Sequence, residues 1–201
     1  MVDAVIKRVL MKGLVKLSRK PQAKVSLEKL EGFVLDVGGG GEGTMAKTCG
    51  SGTVCVDISR TEISEARSRG AVANWVLCDA SSMPFRNDTF DVATFFFSLM
   101  YIKTLERKHA VMVEAKRVLK SDGLLYLWDA IIREKPDLSV VFVEANLPNG
   151  EKIYTGYGVR GKAEKEQNLE LVSKLAFEAG FRVVKESCEN SAFHLELQKQ
   201  T

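Results

Sequence analysis

Leu35 to Lys47 reads LDVGGGGEGTMAK, an apolar run that carries an acid, Asp36, and opens into five glycines within six residues. A tight turn between a strand and a helix needs glycine for positive φ at only one or two positions. Such a turn therefore explains at most two of the five glycines. We therefore expect a ligand to approach the backbone of this loop closely.

The glycine spacing fits a known nucleotide-binding pattern. Gly38, Gly40 and Gly43 satisfy G-x-G-x-x-G, and Asp57 follows at about the spacing of a ribose-binding acid. By pattern alone this predicts a dinucleotide-binding fold. A phosphate-binding NTPase loop is disfavoured, because Gly43 is followed by Thr-Met where that motif needs a lysine and then a serine or threonine.

Short β-branched or aromatic runs alternate with helical patterns on both sides of this loop. The runs are FVLDV from Phe33, TVCVD from Thr53, NWVLCD from Asn74, FDVATFFF from Phe90 and LLYLWD from Leu124. Helical patterns cover residues 45–49, 61–69, 104–120 and 168–179. This alternation predicts a doubly wound α/β fold with a parallel sheet, in which ligands bind beyond the carboxyl ends of the strands. Those ends are Asp36, Asp57, Asp79, Phe97 and Asp129.

Composition limits the class of protein. A chain of 201 residues, 45% hydrophobic and 27% charged, fits one soluble domain without a separate substrate domain. The longest uncharged apolar run, residues 92–102, is too short to span a bilayer, and no signal peptide is recognisable, so we expect a cytoplasmic protein. The four cysteines form no Cys-x-x-Cys pair and have no histidine at ligand spacing, so neither a metal site nor a disulfide framework is expected.

The charge is concentrated at the N-terminus. Residues 1–24 carry a net charge of +6, which leaves −3 for the rest of the chain. Seven apolar residues recur there at helical spacing: Val2, Val5, Ile6, Val9, Leu10, Leu14 and Leu17. The sequence predicts a basic amphipathic helix over residues 1–24, before a single domain over 25–201. We interpret the helix as packing on the domain; contact with an anionic lipid or a nucleic acid is the alternative.

Asp36 separates two kinds of ligand. A carboxylate beside the glycines would repel the pyrophosphate of a dinucleotide and would suit a cation. S-Adenosylmethionine has an α-ammonium at one end and a ribose and adenine at the other. Asp57 would accept from both ribose hydroxyls, Ile58 would lie against the adenine face, and Asp79 would bind the adenine amino edge.

From Val34 to Asp129 the chain resembles the class I S-adenosylmethionine-dependent methyltransferases, in the small subset with the quinone-biosynthesis-type enzymes. VLDVGGGGEG, VDIS, CDASSMPF, NDTFDVATFFFSLMYI and RVLKSDGLLYLWD occur in the order and at the spacing of that family. The resemblance implies a mostly parallel seven-stranded sheet with an antiparallel last strand, which FRVVKES and SAFHLELQ could complete. It implies cofactor contacts from Asp36, Gly38, Gly39, Gly40, Asp57, Ile58, Asp79, Ala80, Phe96 and Phe97.

Two departures from the family pattern stand out. Glu42 occupies the position of the usual third glycine, and Gly43 comes one residue later. Met100 and Tyr101 stand where relatives often carry a histidine pair, so no imidazole base is expected there. The chain lacks both an Asn/Asp-Pro-Pro-Tyr signature and a Pro-Cys nucleophile, which disfavours a nucleic-acid substrate.

We therefore expect a methyltransferase that moves a methyl group in line to a small or medium-sized acceptor. A base is needed only for a protonated acceptor, and the candidates are Tyr101, Asp129 and Tyr157. His109 and His194 are expected to be non-catalytic. The alternatives are a non-catalytic module that binds S-adenosylmethionine or S-adenosylhomocysteine and, less favoured because of Asp36, an NAD-binding oxidoreductase.

Residues 136–161 are extra chain relative to the family, after the fifth strand. Two β-rich runs flank Asn149–Gly150, a pair that favours a hairpin turn. We expect an antiparallel ribbon over the site that acts as an acceptor lid. The predicted acceptor pocket comprises Met100, Tyr101, Trp128, Tyr154 and Tyr157. The alternative is a ribbon that covers a sheet edge or makes a dimer contact.

Overall fold

A computed structural model describes residues 20–133, 138–160, 166–189 and 191–200. Most of the predicted N-terminal helix, residues 1–19, lies outside the described residues. The strands are β1 (Ala23–Ser26), β2 (Val34–Val37), β3 (Val54–Asp57), β4 (Asn74–Leu77), β5 (Phe90–Phe96), β6 (Leu119–Ala130), β7 (Leu138–Asn146), β8 (Lys152–Arg160), β9 (Phe181–Cys188) and β10 (Ala192–Lys199). The helices are α1 (Thr44–Cys49), α2 (Arg60–Ser68), α3 (Leu105–Val118) and α4 (Leu169–Glu178), with a 3₁₀ turn at Leu99–Tyr101.

Seven strands form the large sheet, in the order β4-β3-β2-β5-β6-β10-β9. β4, β3, β2, β5 and β6 run parallel, and β10 pairs antiparallel with both β6 and β9. The expected seven-stranded, mostly parallel sheet with an antiparallel last strand is confirmed. Because the strand order reverses between β2 and β5, a ligand crevice is expected outside their carboxyl ends.

Both faces of the sheet carry helices. Leu35, Ala93 and Leu125 pack with residues of α3 and α4 in the main core, while Cys55 packs with Ala46 of α1 and Ala66 of α2 on the other face. Capping side chains fix three helix starts: Ser59, Thr104 and Asn168 each accept from a backbone N–H three residues later. β6 begins at Leu119, five residues before the predicted run.

The extra segment forms a second, three-stranded sheet. β7 and β8 pair antiparallel, and the intervening turn places Gly150 at φ 86°. β1 adds parallel to β7, with Ala23 opposite Val143, which sequence reasoning did not anticipate. This small sheet packs against Met45, Phe97 and Trp128, so it covers the large sheet near the carboxyl ends of β5 and β6. No helix within the described ranges is long and apolar enough to cross a membrane.

Candidate functional site

Asp36 lies at the carboxyl end of β2 with only 2% of its surface exposed. Its Oδ1 accepts a 2.7 Å hydrogen bond from the Thr94 hydroxyl, and the Cys55 thiol lies 4.0 Å from Oδ2. Burial raises the pKa of Asp36 from 3.8 to about 7, although the Thr94 hydrogen bond opposes the rise. A cation bound beside this buried carboxyl group would stabilise its ionised form.

The glycine loop is shaped partly by these acids. A Cβ on Gly39 would lie 2.4 Å from Asp36 Oδ2, and a Cβ on Gly38, where φ is 77°, would lie 2.5 Å from Ser98 Cβ. The amides of Gly38 and Gly39 both donate to the carbonyl of Val56. Packing within the protein therefore explains part of the glycine requirement, whereas the sequence alone suggested only a closely approaching ligand.

Asp57 ends β3 and stands beside the same loop. Its Oδ2 accepts from the Gly40 amide at 3.1 Å and its Oδ1 from the Ser59 amide at 2.8 Å. Burial raises its pKa, and these backbone hydrogen bonds oppose the rise. Each carboxylate oxygen has a second lone pair, so Asp57 can still accept from two hydroxyl groups. The adjacent Ile58 side chain is 70% exposed and is free to cover a flat ligand.

Asp79 follows β4 and is more open than Asp36. Its Oδ1 accepts from the amide and hydroxyl of Ser81, and its Oδ2 accepts from Arg107 at 2.6 Å. The Ser81 hydrogen bonds and then Arg107 hold its pKa below the usual range. Ala80 packs beside the main core. An adenine amino group would share Asp79 with Arg107.

The end of β5 carries an unusual backbone. Phe97 has φ 50° without being glycine, a conformation rare for a bulky residue, and its amide donates to the Trp128 carbonyl at 2.7 Å. This turn holds the Phe97 ring parallel to that of Tyr157, with centroids 4.7 Å apart. Phe96 contacts the same tyrosine edge-on. The two predicted cofactor-flanking phenylalanines thus meet the hairpin.

The hairpin touches the strand ends at two further points. The Tyr101 hydroxyl accepts from the Gly158 amide at 3.3 Å, and the Thr155 hydroxyl lies 3.3 Å from Glu42 Oε1. Glu42 also pairs with Arg69. The acid that replaces the family's third glycine therefore connects the loop to α2 and to the hairpin, a role that its sequence position did not reveal.

The structure brings only part of the predicted acceptor pocket together. Met100 is buried, and Tyr101, whose hydroxyl meets the hairpin at Gly158, lies near enough to Tyr157 to influence its pKa. Tyr154 is 57% exposed, because alternation along β8 puts it on the opposite face from Tyr157. Trp128 contacts Phe96 at a ring distance of 5.8 Å and belongs to the same apolar cluster as Met100 and Tyr157.

Asp129, a predicted base candidate, is fully buried in a hydrogen-bonded cluster. It accepts from the amides of Met100 and Ala130 and from Gln167 Nε2, while Lys108 donates to Gln167 Oε1. Burial raises the pKa of Asp129 to about 6, and these contacts and Lys108 oppose the rise. Its oxygens are engaged in holding the turn that carries Met100. Gln167 was missed, and no sequence motif marks it.

The other candidate bases are phenols with raised pKa values. Burial raises the pKa of Tyr101 to about 12 and raises that of Tyr157 further. Both hydroxyls are therefore protonated near neutral pH and serve as hydrogen-bonding groups rather than bases. Among the residues that the structure describes, no group of three or more His, Cys, Asp or Glu side chains could hold a metal ion.

Comparison with known proteins agrees with this arrangement. Residues 35–127 match the family model described as a methyltransferase domain. A ubiquinone/menaquinone biosynthesis C-methyltransferase UbiE from Paraburkholderia phymatum is 34% identical over 113 residues, which is 49% of this chain and 45% of that protein. Sterol 4-C-methyltransferase strm-1 from Caenorhabditis elegans is 45% identical over 56 residues, 28% of this chain and 16% of that protein. The chain thus spans less than half the length of these curated relatives.

Solved structures share the fold over most of the chain. An S-adenosylmethionine-dependent methyltransferase from Methanosarcina mazei superimposes with a TM-score of 0.60 at 18% identity, covering 87% of this chain and 94% of that one. The [4+2]-cyclase SpnF gives a TM-score of 0.59 at 16% identity, covering 94% and 80%. At such identities the likeness concerns the fold alone. Residues 35–127 are thus similar to a methyltransferase domain, and the chain shares the fold of S-adenosylmethionine-dependent methyltransferases.

Proposed function

We propose that this chain transfers a methyl group from S-adenosylmethionine, directly and in line, to a small or medium-sized acceptor. The proposal rests on the two carboxylates, Asp36 and Asp57, that end neighbouring strands beside one glycine loop. The pKa of Asp36 is raised in part by the charge of Asp57. Such a pair favours a ligand with a cation at one end and hydroxyl groups at the other. It disfavours the pyrophosphate of NAD.

Each end of the cofactor has a candidate partner. Asp36 would hold the α-ammonium, with the loop Gly38–Gly40 beside the methionine portion. Asp57 would accept from the ribose hydroxyls. Ile58 would cover the adenine face, Asp79 and Ala80 would flank its amino edge, and Phe96 and Phe97 would border the opposite side.

Bound S-adenosylmethionine supplies a methyl group already activated by its sulfonium. The remaining tasks of the protein are alignment of the acceptor and exclusion of water. Met100, Tyr101 and Tyr157 would form the acceptor wall, with the β7–β8 hairpin as its lid. Tyr101 and Tyr157, both protonated, would orient an acceptor by hydrogen bonds. This arrangement favours an acceptor atom from which the enzyme need not remove a proton.

A second candidate is a non-catalytic module that binds S-adenosylmethionine or S-adenosylhomocysteine. It is favoured by one observation: the oxygens of Asp129, the most buried candidate base beside the turn, are engaged by Met100, Ala130 and Gln167. The fold alone does not imply methyl transfer, since SpnF, which shares it, is described as a cyclase.

Calorimetry and a transfer assay separate these functions. We expect the protein to bind S-adenosylhomocysteine but not NAD, and to transfer a tritiated methyl group from S-adenosylmethionine to a fraction of a small-molecule cell extract. Binding without transfer to any fraction would favour the non-catalytic module. Binding of NAD without S-adenosylhomocysteine would overturn the proposal.

A further inference from the structure

Part of one face of the large sheet lacks a covering helix among the described residues. α1 packs chiefly on β2 and β5, and α2 packs on β3 and β4. α3 and α4 pack on the opposite face, where Leu125, Leu127 and Leu195 join them in the main core. On the α1 side, the small sheet packs against the end of β6 and the start of β10, and residues of β6, β10 and β9 line a groove beside it. Sheets of this type normally have both faces covered.

The groove has a volume of about 680 Å³ and an aromatic floor. Trp128 stacks on His194 at 4.6 Å between ring centroids and on Tyr126 at 5.9 Å, both nearly parallel. His194 Nε2 is buried with no hydrogen-bond partner among the described residues. Burial lowers the pKa of His194 to about 4, so its ring is neutral near pH 7. The floor therefore favours apolar side chains.

The rim of the groove is charged. Burial raises the pKa of Tyr126, and the negative charges of Glu196 and Glu28 raise it further. Lys185, which forms an ion pair with Glu196 at 3.2 Å, opposes the rise. Glu31 and Glu189 also line the groove, as do Lys24 and Lys29, so four carboxylates and three lysines surround it. Carboxylates at a rim suit lysine and arginine side chains that flank an apolar stripe and extend past it.

We infer that residues 2–17 dock in this groove as an amphipathic helix, with the stripe Val2, Val5, Ile6, Val9, Leu10, Leu14 and Leu17 on the Tyr126–Trp128–His194 floor. Sixteen helical residues measure about 24 Å. Residues 192–196 of β10, which line the groove, measure about 17 Å, so such a helix would extend beyond them. The basic side chains within the segment, Lys7, Arg8, Lys12 and Lys16, would supply partners for the rim carboxylates.

The connection between the two parts is short. The described chain begins at Lys20, and Ala23 and Lys24 already line the groove. Pro21 ends a preceding helix at or before Lys20. A segment tethered this closely reaches an effective concentration on the order of millimolar at the groove, which favours it over a free ligand.

The docked segment would also support the acceptor side. Its stripe would press on Trp128, which contacts Phe96, and Phe96 contacts Tyr157 of the hairpin. The docking itself depends only on the groove and the stripe. Its test therefore needs no assumption about the reaction.

The test uses the full chain with Trp75→Phe, so that Trp128 is the single tryptophan. Leu10→Asn with Leu14→Asn alters the stripe; Arg8→Asn with Lys12→Asn alters the polar face as the matched control. We expect the stripe variant to make Trp128 more accessible to acrylamide. In proton NMR spectra we expect the ring signals of His194, which the stripe would cover, to shift in that variant. Because the control pair keeps the stripe and loses only contacts at the rim, it should change both readouts less than the stripe pair does.

The single change Leu10→Asn provides a milder variant, and cooperative urea unfolding establishes that each protein is folded. Equal quenching and equal His194 ring signals in the stripe and control variants would overturn the inference. Binding of that chain to phosphatidylserine vesicles, lost in the stripe variant and accompanied by greater Trp128 quenching, would instead assign the stripe to a lipid surface.

Discussion

Thr155 of the hairpin lies 3.3 Å from Glu42 of the glycine loop, hydroxyl oxygen to carboxylate oxygen. This contact joins the proposed acceptor lid directly to the loop that would hold the cofactor. Glu42 also forms an ion pair with Arg69, which restricts the Glu42 side chain that Thr155 contacts. We expect the hairpin and the loop to respond together to a bound ligand.

Thr155→Val removes the hydroxyl and keeps the shape of the side chain. Because a hydrogen bond to a charged group contributes about 1.5–3 kcal/mol when buried and less at a partly exposed site, we expect amide exchange across residues 152–160 to quicken by up to roughly tenfold. Hydrogen-exchange mass spectrometry measures this. Thr155→Ser, which keeps the hydroxyl, is the control. Equal exchange in the valine and serine variants would show that the contact does not restrain the hairpin.

Asp57→Ala should abolish most of the affinity for S-adenosylhomocysteine. The substitution removes a charged acceptor of two ribose hydroxyl bonds, each contributing about 1.5–3 kcal/mol. Titration calorimetry provides the measurement. Asp122→Asn, near the start of β6 and away from the proposed cofactor site, is a control that should bind normally. Unchanged affinity in the Asp57 variant would remove Asp57 from the cofactor site.

Asp36 should make both stability and binding depend on pH. Its folded-state pKa is raised from 3.8 to about 7, so the folded protein holds a proton that the unfolded chain releases. The free energy of unfolding should therefore fall as pH rises from about 4 to about 7, by up to about 4 kcal/mol from this group. Urea unfolding of Asp36→Asn should show a smaller fall. Asp129, whose pKa is also raised by burial, should contribute the same dependence of unfolding free energy on pH in both proteins.

The same proton should be released when a cation binds beside Asp36. We expect affinity for S-adenosylhomocysteine to increase as pH rises through 7, and calorimetry in buffers of different ionisation enthalpy to detect proton release near pH 6.5. Asp36→Asn should release fewer protons. Identical proton release in the two proteins would place the ammonium elsewhere.

Tyr157 and Tyr154 provide a matched pair, because they lie on opposite faces of β8. Tyr157→Ala removes the ring stacked on Phe97 and should lower methyl transfer to labelled extract fractions sharply, with cofactor affinity retained. Tyr154→Ala should leave transfer near the unaltered rate. Normal turnover in the Tyr157 variant would favour a hairpin that only covers the sheet.

The parts of this molecule that sequence predicted are those determined locally. The glycines and Asp36 lie within eight residues of one another, and strand and helix periodicities repeat over similar distances, so the doubly wound α/β fold followed from them. The number of seven strands came from the resemblance to the family. Gln167, Thr94 and the Glu42–Thr155 contact depend on residues 38 to 113 positions apart. No local pattern marks such pairs. Tyr154 was predicted beside Tyr157 because composition suggested two aromatic walls, and the two-residue period of a strand then separated them.

The parallel pairing of β1 with β7 has a consequence for how the chain folds. The Gln22 side chain accepts from the Phe142 amide across 120 residues of sequence, so this sheet closes one of the longest loops in the described structure. Closing such a loop carries an entropic cost, and contacts of this separation slow folding. During synthesis, β1 emerges first and must wait unpaired until β7 follows, while β2 and β3 already have neighbours. We therefore expect the hairpin sheet to consolidate after the cofactor half of the large sheet, which would make the acceptor side the last part of the molecule to mature.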